Sequence, residues 1–163
     1  MLIRPIRPDD APAQSAFFHR LSPEDIRFRF FSVMRELSEK QLKKLTDIDY
    51  DRDMALIAVR EATGETVAVA RLATDQDEHV AEFAVAVEPS MKGRGLGSEL
   101  MRRVIDWARG HGVTEIVGQI LADNHAMLAF ARSLGFTLHR MADADDVVEA
   151  RLRLAEPAHE EHH

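Results

Sequence analysis

The stretch "AVAVEPSMKGRGLGSELMRRVIDWARGHG", residues 84–112, decides how this chain is read. Its opening alternates small and branched apolar residues, the period of a β-strand. From Leu96 onward the period becomes helical. Leu96, Leu100, Met101, Val104, Ile105 and Ala108 share one face, opposite Glu99, Arg102, Arg103 and Arg109. Between the two periods Gly93, Gly95 and Gly97 fall within five positions. Such a turn lets backbone approach a bulky charged group, and the free N–H groups and dipole of the helix start form an anion site. A strand-to-helix turn with no ligand would use the same residues.

Working outward, "LIRPI" predicts a short strand, and "DDAPAQSAFFHRL" a helix from about Asp10. "SPEDIRFRFF" predicts a second helix with Ser22 as cap and Pro23 at its first position. "SEKQLKKLTDI" predicts a third, capped by Ser38. "MALIAVRE" and "TVAVARLAT" flank "ATGE" as a hairpin, and "HVAEFAVAVEP" follows the turn "DQDE" as the next strand. Beyond the long helix, "TEIVGQIL" reads as a strand and "DNHAMLAFARSLG" as a helix, with Asp123 or Asn124 as cap and Gly135 as its stop. "FTLHRM" and "VVEARLRL" are the last strands. The order implies an α/β (α+β) fold with a mixed sheet, not a doubly wound nucleotide fold. One domain over 1–154 and a polar, mobile tail over 155–163 are expected.

At 163 residues, 45% of them apolar and 30% charged, the chain has ordinary globular composition and enough length for a core. No apolar run approaches the roughly 18 residues of a membrane span, and "MLIRPIRPDD" carries no secretory h-region. The absence of cysteine excludes disulfides, a thiol nucleophile and thiolate-bound metal, and fits a cytoplasmic location. The net charge of −7 argues against a nucleic-acid partner and favours amines or lysine-bearing surfaces. The eight histidines are scattered, with His159, His162 and His163 in the tail, so no catalytic metal is expected.

Two nucleotide readings of the glycine turn fail. A Walker loop needs a lysine directly after its last glycine, and Ser98 follows Gly97. A dinucleotide fingerprint on Gly93 and Gly95 would need glycine where Ser98 stands.

Lys92-Gly93-Arg94-Gly95-Leu96-Gly97 resembles the R/Q-x-x-G-x-G/A loop of the GNAT acyl-CoA N-acyltransferases, with Lys92 in place of the commoner Gln or Arg. "AVAVEP" resembles that superfamily's strand before the loop, and "DNHAMLAFARSLGF" its second signature; the order of elements matches from Leu2 to Leu154. The resemblance implies a mixed, mostly antiparallel seven-strand sheet flanked by helices. It also implies acetyl-CoA as substrate, an amine acceptor and no metal. It puts the loop from Lys92 through Gly93, Arg94, Gly95, Leu96, Gly97 and Ser98 on the coenzyme, with N–H groups around Gly93, Gly95, Gly97 and Ser98 on the pyrophosphate. The pantetheine arm would lie beside Val85, Ala86 and Val87 like an added strand. Asn124 would face the far part of that arm, a role compatible with capping its helix. An oxyanion contact would come from N–H near Ala86 or Val87.

"LSPEDIRFRFFS" together with "AEFAVAV" is similar to bacterial protein lysine acetyltransferases, whose catalytic domain is often fused to an acyl-CoA synthetase-like region. A free-standing version or a fragment is expected, with protein lysine as acceptor. A small-molecule amine acceptor, or a non-catalytic module that senses acyl-CoA, are the alternatives. The edges of such a sheet also offer a route to a homodimer.

Transfer to an amine needs the amine neutral, and a lysine amine has a pKa of about 10.4, so a proton acceptor is required. Glu82 is the candidate. It interrupts an apolar strand on the face of Ala84 and Ala86, and the lysine acetyltransferases it resembles have their glutamate base at the matching position. With "DQDE" as a four-residue loop, Arg71 would stand opposite Glu82. An ion pair there would either be the whole reason for both residues or would orient the base. The position at which many relatives carry an acid tyrosine is Ala131. Tyr50, the only tyrosine, lies elsewhere, and Ser133 is within one turn of that position. By the same resemblance Arg27, Arg29 and Phe31 would border the acceptor cleft.

Overall fold

The computed structural model describes residues 1–23, 38–50, 53–75, 79–141 and 144–154. The helix expected from Ser22, with Arg27, Phe28, Arg29, Phe30 and Phe31, lies outside the described residues from Glu24 on, and so does the polar tail. Seven strands and four α-helices are described: β1 (Leu2–Pro5), α1 (Ala11–Arg20), α2 (Glu39–Thr46), β2 (Met54–Val59), β3 (Thr66–Asp75), β4 (Val80–Val87), α3 (Leu96–Arg109), β5 (Glu115–Leu121), α4 (His125–Ser133), β6 (Thr137–Met141) and β7 (Ala144–Arg153). The strands form one sheet in the order β1-β2-β3-β4-β5-β7-β6. Among the described residues β4–β5 is its one parallel pairing. No helix among them is long and apolar enough to cross a membrane.

Local chemistry sets the helix ends. Ser38 Oγ accepts the Gln41 N–H (3.1 Å) while Gln41 Oε1 accepts the Ser38 N–H (2.9 Å), a reciprocal capping box that starts α2. Gly135, at φ +98°, stops α4 in a left-handed conformation.

The sheet is covered on both sides, which explains why "TVAVARL" is almost continuously apolar. On one face α3 buries Leu100, Met101, Val104 and Ala108 completely, against Ala68, Ala70 and Leu72 of β3. On the other, Ile6 and the α1 residues Phe17 and Phe18 pack on Ala55, Ile57, Val59 and Val69. Each such large side chain contributes about 1.5–3 kcal/mol on burial.

The β3–β4 register differs from the one expected. Arg71 stands opposite Ala84, and Glu82 opposite Ala73. The strands pair one step further, to Asp75 and Val80, with His79 at φ +57° directly before β4. The Asp53 carboxylate accepts the Thr74 N–H (2.9 Å) and holds that end of β3 in the ladder. Because the offset is two residues, every side chain keeps its face. Arg71 therefore lies diagonal to Glu82 and donates to the carbonyl of Leu45 in α2.

β4 and β5 pair only over Val80–Glu82 and Glu115–Val117, yet they continue to Val87 and Leu121. Past Glu82 they part, and Phe83 fills the crotch of the fork. Its ring lies where a Cβ on Gly118 would be and packs on Phe136 with centroids 5.0 Å apart. Only glycine leaves that room on β5.

Two buried carboxylates brace the ends of the sheet. Glu88, directly after β4, accepts hydrogen bonds from the Ser90 hydroxyl and the guanidiniums of Arg20 and Arg60, and Arg20 also donates to the Thr66 carbonyl. Asp10 accepts both N–H groups of the Arg4 fork (2.7 and 2.8 Å) and the Arg7 backbone N–H (2.7 Å). The Ser90 hydroxyl and then Arg20 hold Glu88 below the usual carboxylate range, and the Arg4 hydrogen bonds do the same for Asp10.

Gly118→Ala should cost about 1–3 kcal/mol by forcing the Phe83 ring aside, lowering Tm by roughly 2–12 °C. Gly110→Ala, whose Cβ would meet only the Trp107 carbonyl at 3.7 Å, should stay within about 0.5 kcal/mol of wild type. Equal melting of the two variants would refute the packing role of Gly118. A carboxylate with a depressed folded pKa stabilises fully above its unfolded pKa, and that contribution fades as pH falls through the folded value. The Tm gap between wild type and Glu88→Gln should therefore be widest near neutrality and close steadily below the ordinary Glu pKa of about 4.3. A gap independent of pH would contradict it.

Candidate active site

The fork opens into a cleft of about 1220 Å³, larger than the roughly 300–1,000 Å³ typical of drug-sized ligands. Its walls come from β4, from the glycine turn, from β5 and the start of α4, and from the α2 end of the opposite layer. Glu82, Val85, Ala86, Val87, Lys92, Gly93, Gly95, Leu96, Gly97, Ser98 and Asn124 all line it. Arg94 does not. Its side chain is exposed at the tip of the turn, with no hydrogen bond or ion pair among the described residues.

Backbone polarity along β4 follows from the ladder. The Glu88 N–H donates to the Val67 carbonyl (2.8 Å) just past the last strand pair. Hydrogen-bonded pairs alternate in an antiparallel ladder, so Glu82, Ala84 and Ala86 turn their peptide groups toward β3. Val85 and Val87 turn theirs into the fork, where β5 has moved away. The Ala86 N–H is thus engaged by β3, and of the two positions expected to offer an oxyanion contact only Val87 turns its peptide group into the gap, together with Val85.

Gly93 (φ +80°) and Gly95 (φ +79°) make the left-handed bends that bring the chain into α3. Gly95 caps α3 without a side chain, and the Glu99 N–H closes the first turn on its carbonyl (3.0 Å). The N–H groups of Leu96, Gly97 and Ser98 are left with no intrahelical partner, at the positive end of the helix and on the cleft wall. A Cβ at Gly97 would lie 3.4 Å from the Phe130 ring and 3.5 Å from Val87 Cγ2, so β4, α3 and α4 close tightly at this point. Asn124 caps α4, its Oδ1 accepting the Met127 N–H (3.2 Å), and lines the cleft at the same time.

Glu82 belongs to the last β4–β5 pair, opposite Val117, at the point where the fork begins. It is exposed on the α1/α2 side of the sheet and makes no hydrogen bond or ion pair among the described residues. The direct Arg71 partner expected from the sequence is absent, for the register reason given above. The carboxylate is available to a ligand.

No side chain replaces the tyrosine at the expected place. Ala131 is buried, and the Ser133 hydroxyl donates to the Phe130 carbonyl (2.6 Å). The Tyr50 hydroxyl donates to the Ile6 carbonyl (2.6 Å), and burial pushes its pKa up to about 12. It tethers the end of β1 and does not line the cleft.

Two features were missed from the sequence. Gln119, next after Val117 on the Glu82 face of β5, lines the cleft. Its signal was a polar residue within the alternation of "TEIVGQIL". The second is the α2 rim, with Lys44, Asp47 and Asp49, which chain order does not reveal because some forty residues separate it from Glu82.

The sequence profile of the acetyltransferase (GNAT) family matches residues 19–136. An acetyltransferase of Pseudomonas aeruginosa is 38% identical over 95% of this chain and 83% of its own length. The acetyltransferase Pat of Mycolicibacterium smegmatis is 31% identical over 82% of this chain, which spans only 40% of that relative. Among solved structures, the GNAT domain of S. lividans PAT superposes with a TM-score of 0.86 at 28% identity, covering 93% of this chain and 89% of that one. With its forked sheet and glycine turn, the chain belongs to the GNAT acetyltransferase family and is an acetyl-CoA-dependent N-acetyltransferase.

Proposed function

We propose that this chain, acting through residues 1–154 as one domain, transfers acetyl from acetyl-CoA to the side-chain amine of protein lysine. The reaction is direct attack in a ternary complex, with Glu82 as proton acceptor. The observation that carries this reading is the Glu82 carboxylate at the mouth of the fork, unpartnered among the described residues and beside the peptide edges that β4 and β5 no longer pair.

The N–H groups from Leu96 to Ser98 take the pyrophosphate, with Lys92 adding a cation nearby. The pantetheine amides pair with the free edge at Val85 and Val87, so the thioester is delivered to the fork. One of those N–H groups receives the developing oxyanion. The acceptor enters from the α2 side, where Gln119 can accept a hydrogen bond from its amine. Glu82 removes the proton directly or through a water. The amine nitrogen bonds to the acyl carbon, the C–S bond breaks, and the coenzyme leaves as thiolate. Thiols have a pKa of about 8.5, so a tyrosine acid is dispensable. Without cysteine in the chain, no acyl-cysteine intermediate intervenes.

The lysine acceptor is supported by the likeness to Pat over most of the chain and by the acidic balance of −7, which favours cationic acceptors at long range. Glu82→Gln should lower kcat by about 10²–10⁴-fold while leaving KM for acetyl-CoA nearly unchanged. Coenzyme release and isotope-labelled acetyl mapping in a desalted lysate would measure this. Full turnover in Glu82→Gln would remove the base assignment. Label confined to small amines would replace the acceptor, and binding without any coenzyme release would leave an acyl-CoA sensor.

A further inference from the structure

The basic side chains of this protein are almost all arginine: 17 arginines against four lysines, Lys40, Lys43, Lys44 and Lys92. A guanidinium stays protonated in proteins and offers no neutral amine to a thioester. The basic surface is therefore nearly inert to the chain's own chemistry. The exceptions are clustered. Three of the four lysines are on α2, and of those three only Lys44 lines the cleft. Its side chain is exposed, and it makes no hydrogen bond or ion pair among the described residues.

Lys44 is also held at a defined place. The next residue, Leu45, gives its carbonyl to the Arg71 guanidinium. Arg71 stands opposite Ala84, on the sheet face that carries Glu82. The root of the Lys44 side chain is thereby fixed to the wall that holds the carboxylate, on the side where the acceptor enters. Its flexible four-carbon stem bridges the rest.

We infer that Lys44 is a self-acetylation site, a lysine acceptor that the protein presents to its own fork. The inference rests on the transferase reading of Glu82. The neutral Nζ of Lys44 attacks the thioester carbonyl of acetyl-CoA, and an N–C bond forms. The C–S bond breaks and its electron pair leaves with sulfur as the coenzyme thiolate. Glu82 takes the proton from nitrogen. The products are acetyl-Lys44 and coenzyme A. Because nucleophile and base belong to one molecule, the step needs no protein–protein encounter. Acetylation also removes a cation from a rim that carries Asp47 and Asp49.

The test incubates the full chain with isotope-labelled acetyl-CoA, alone and with a lysine-containing peptide, and maps label on all four lysines over a dilution series. Label on Lys44 should exceed that on Lys40 and Lys43 by roughly tenfold or more. Its first-order rate constant should not change on dilution. It should be lost in Glu82→Gln, and in Lys44→Arg it should not reappear on Lys40 or Lys43. Equal labelling of the three α2 lysines, persistence in Glu82→Gln, or a rate that falls on dilution would each overturn the inference. A labelled peptide with an unlabelled Lys44 would sink the inference and leave the transferase reading standing. Label on neither would remove both.

Discussion

Everything in the cleft depends on β4 and β5 ceasing to pair after Glu82 and Val117. A parallel pair that ends early leaves two rows of peptide groups facing an open gap, an arrangement that costs free energy unless something occupies the gap. Phe83 occupies the base of it, over Gly118 and against Phe136, and so keeps the strands from closing. Further out, the gap stays open to about 1220 Å³. The free edge at Val85 and Val87, the start of α3 with its glycine cap and the Glu82 carboxylate all look into it. One interruption in one ladder thus makes room for the arm of a long ligand and sets where its reactive end would stop.

The interruption is tolerated because the strand ends are braced. Glu88 ties the exit of β4 to Arg20 at the end of α1 and to Arg60 at the end of β2. Asp10 ties the entry to α1 back to Arg4 in β1. Both are nearly buried, and each is compensated by several donors, the condition under which a buried carboxylate adds to stability. The Glu88 clamp sits between the strand that flanks the fork and the turn that leads into α3. The same contact that steadies the sheet also steadies the glycine turn. On the opposite layer Arg71 does comparable work, joining the end of α2 to β3 beside Glu82. The rim that carries Lys44 is in this way mechanically part of the sheet.

Much of this was legible in the residues themselves. The change of period across 84–112, the glycine turn and the Gly135 helix stop read correctly, and the cap of α4 read correctly to within the pair Asp123 and Asn124, because each depends on neighbours within a few positions. The face of Glu82 also read correctly, since alternation along a strand survives any even offset in register. The Arg71 pairing did not, because the ladder runs on to Asp75 and Val80, and nothing local to "DQDE" reveals the Asp53 carboxylate that holds Thr74. Nothing local marks the role of Gly118, because only the fold places the Phe83 ring above it.

By itself, then, the sequence determined the described elements, their order, the anion-ready turn and the side of the sheet on which the carboxylate stands. These are short-range consequences of period, capping and backbone freedom. The tertiary structure alone decided where β4 leaves β5, which peptide groups face the gap, and that α2 brings Lys44 to the wall of the Glu82 cleft. Those outcomes turn on contacts between segments some forty residues apart. They are settled by packing volume and by the pairing of buried charges, which no local pattern encodes.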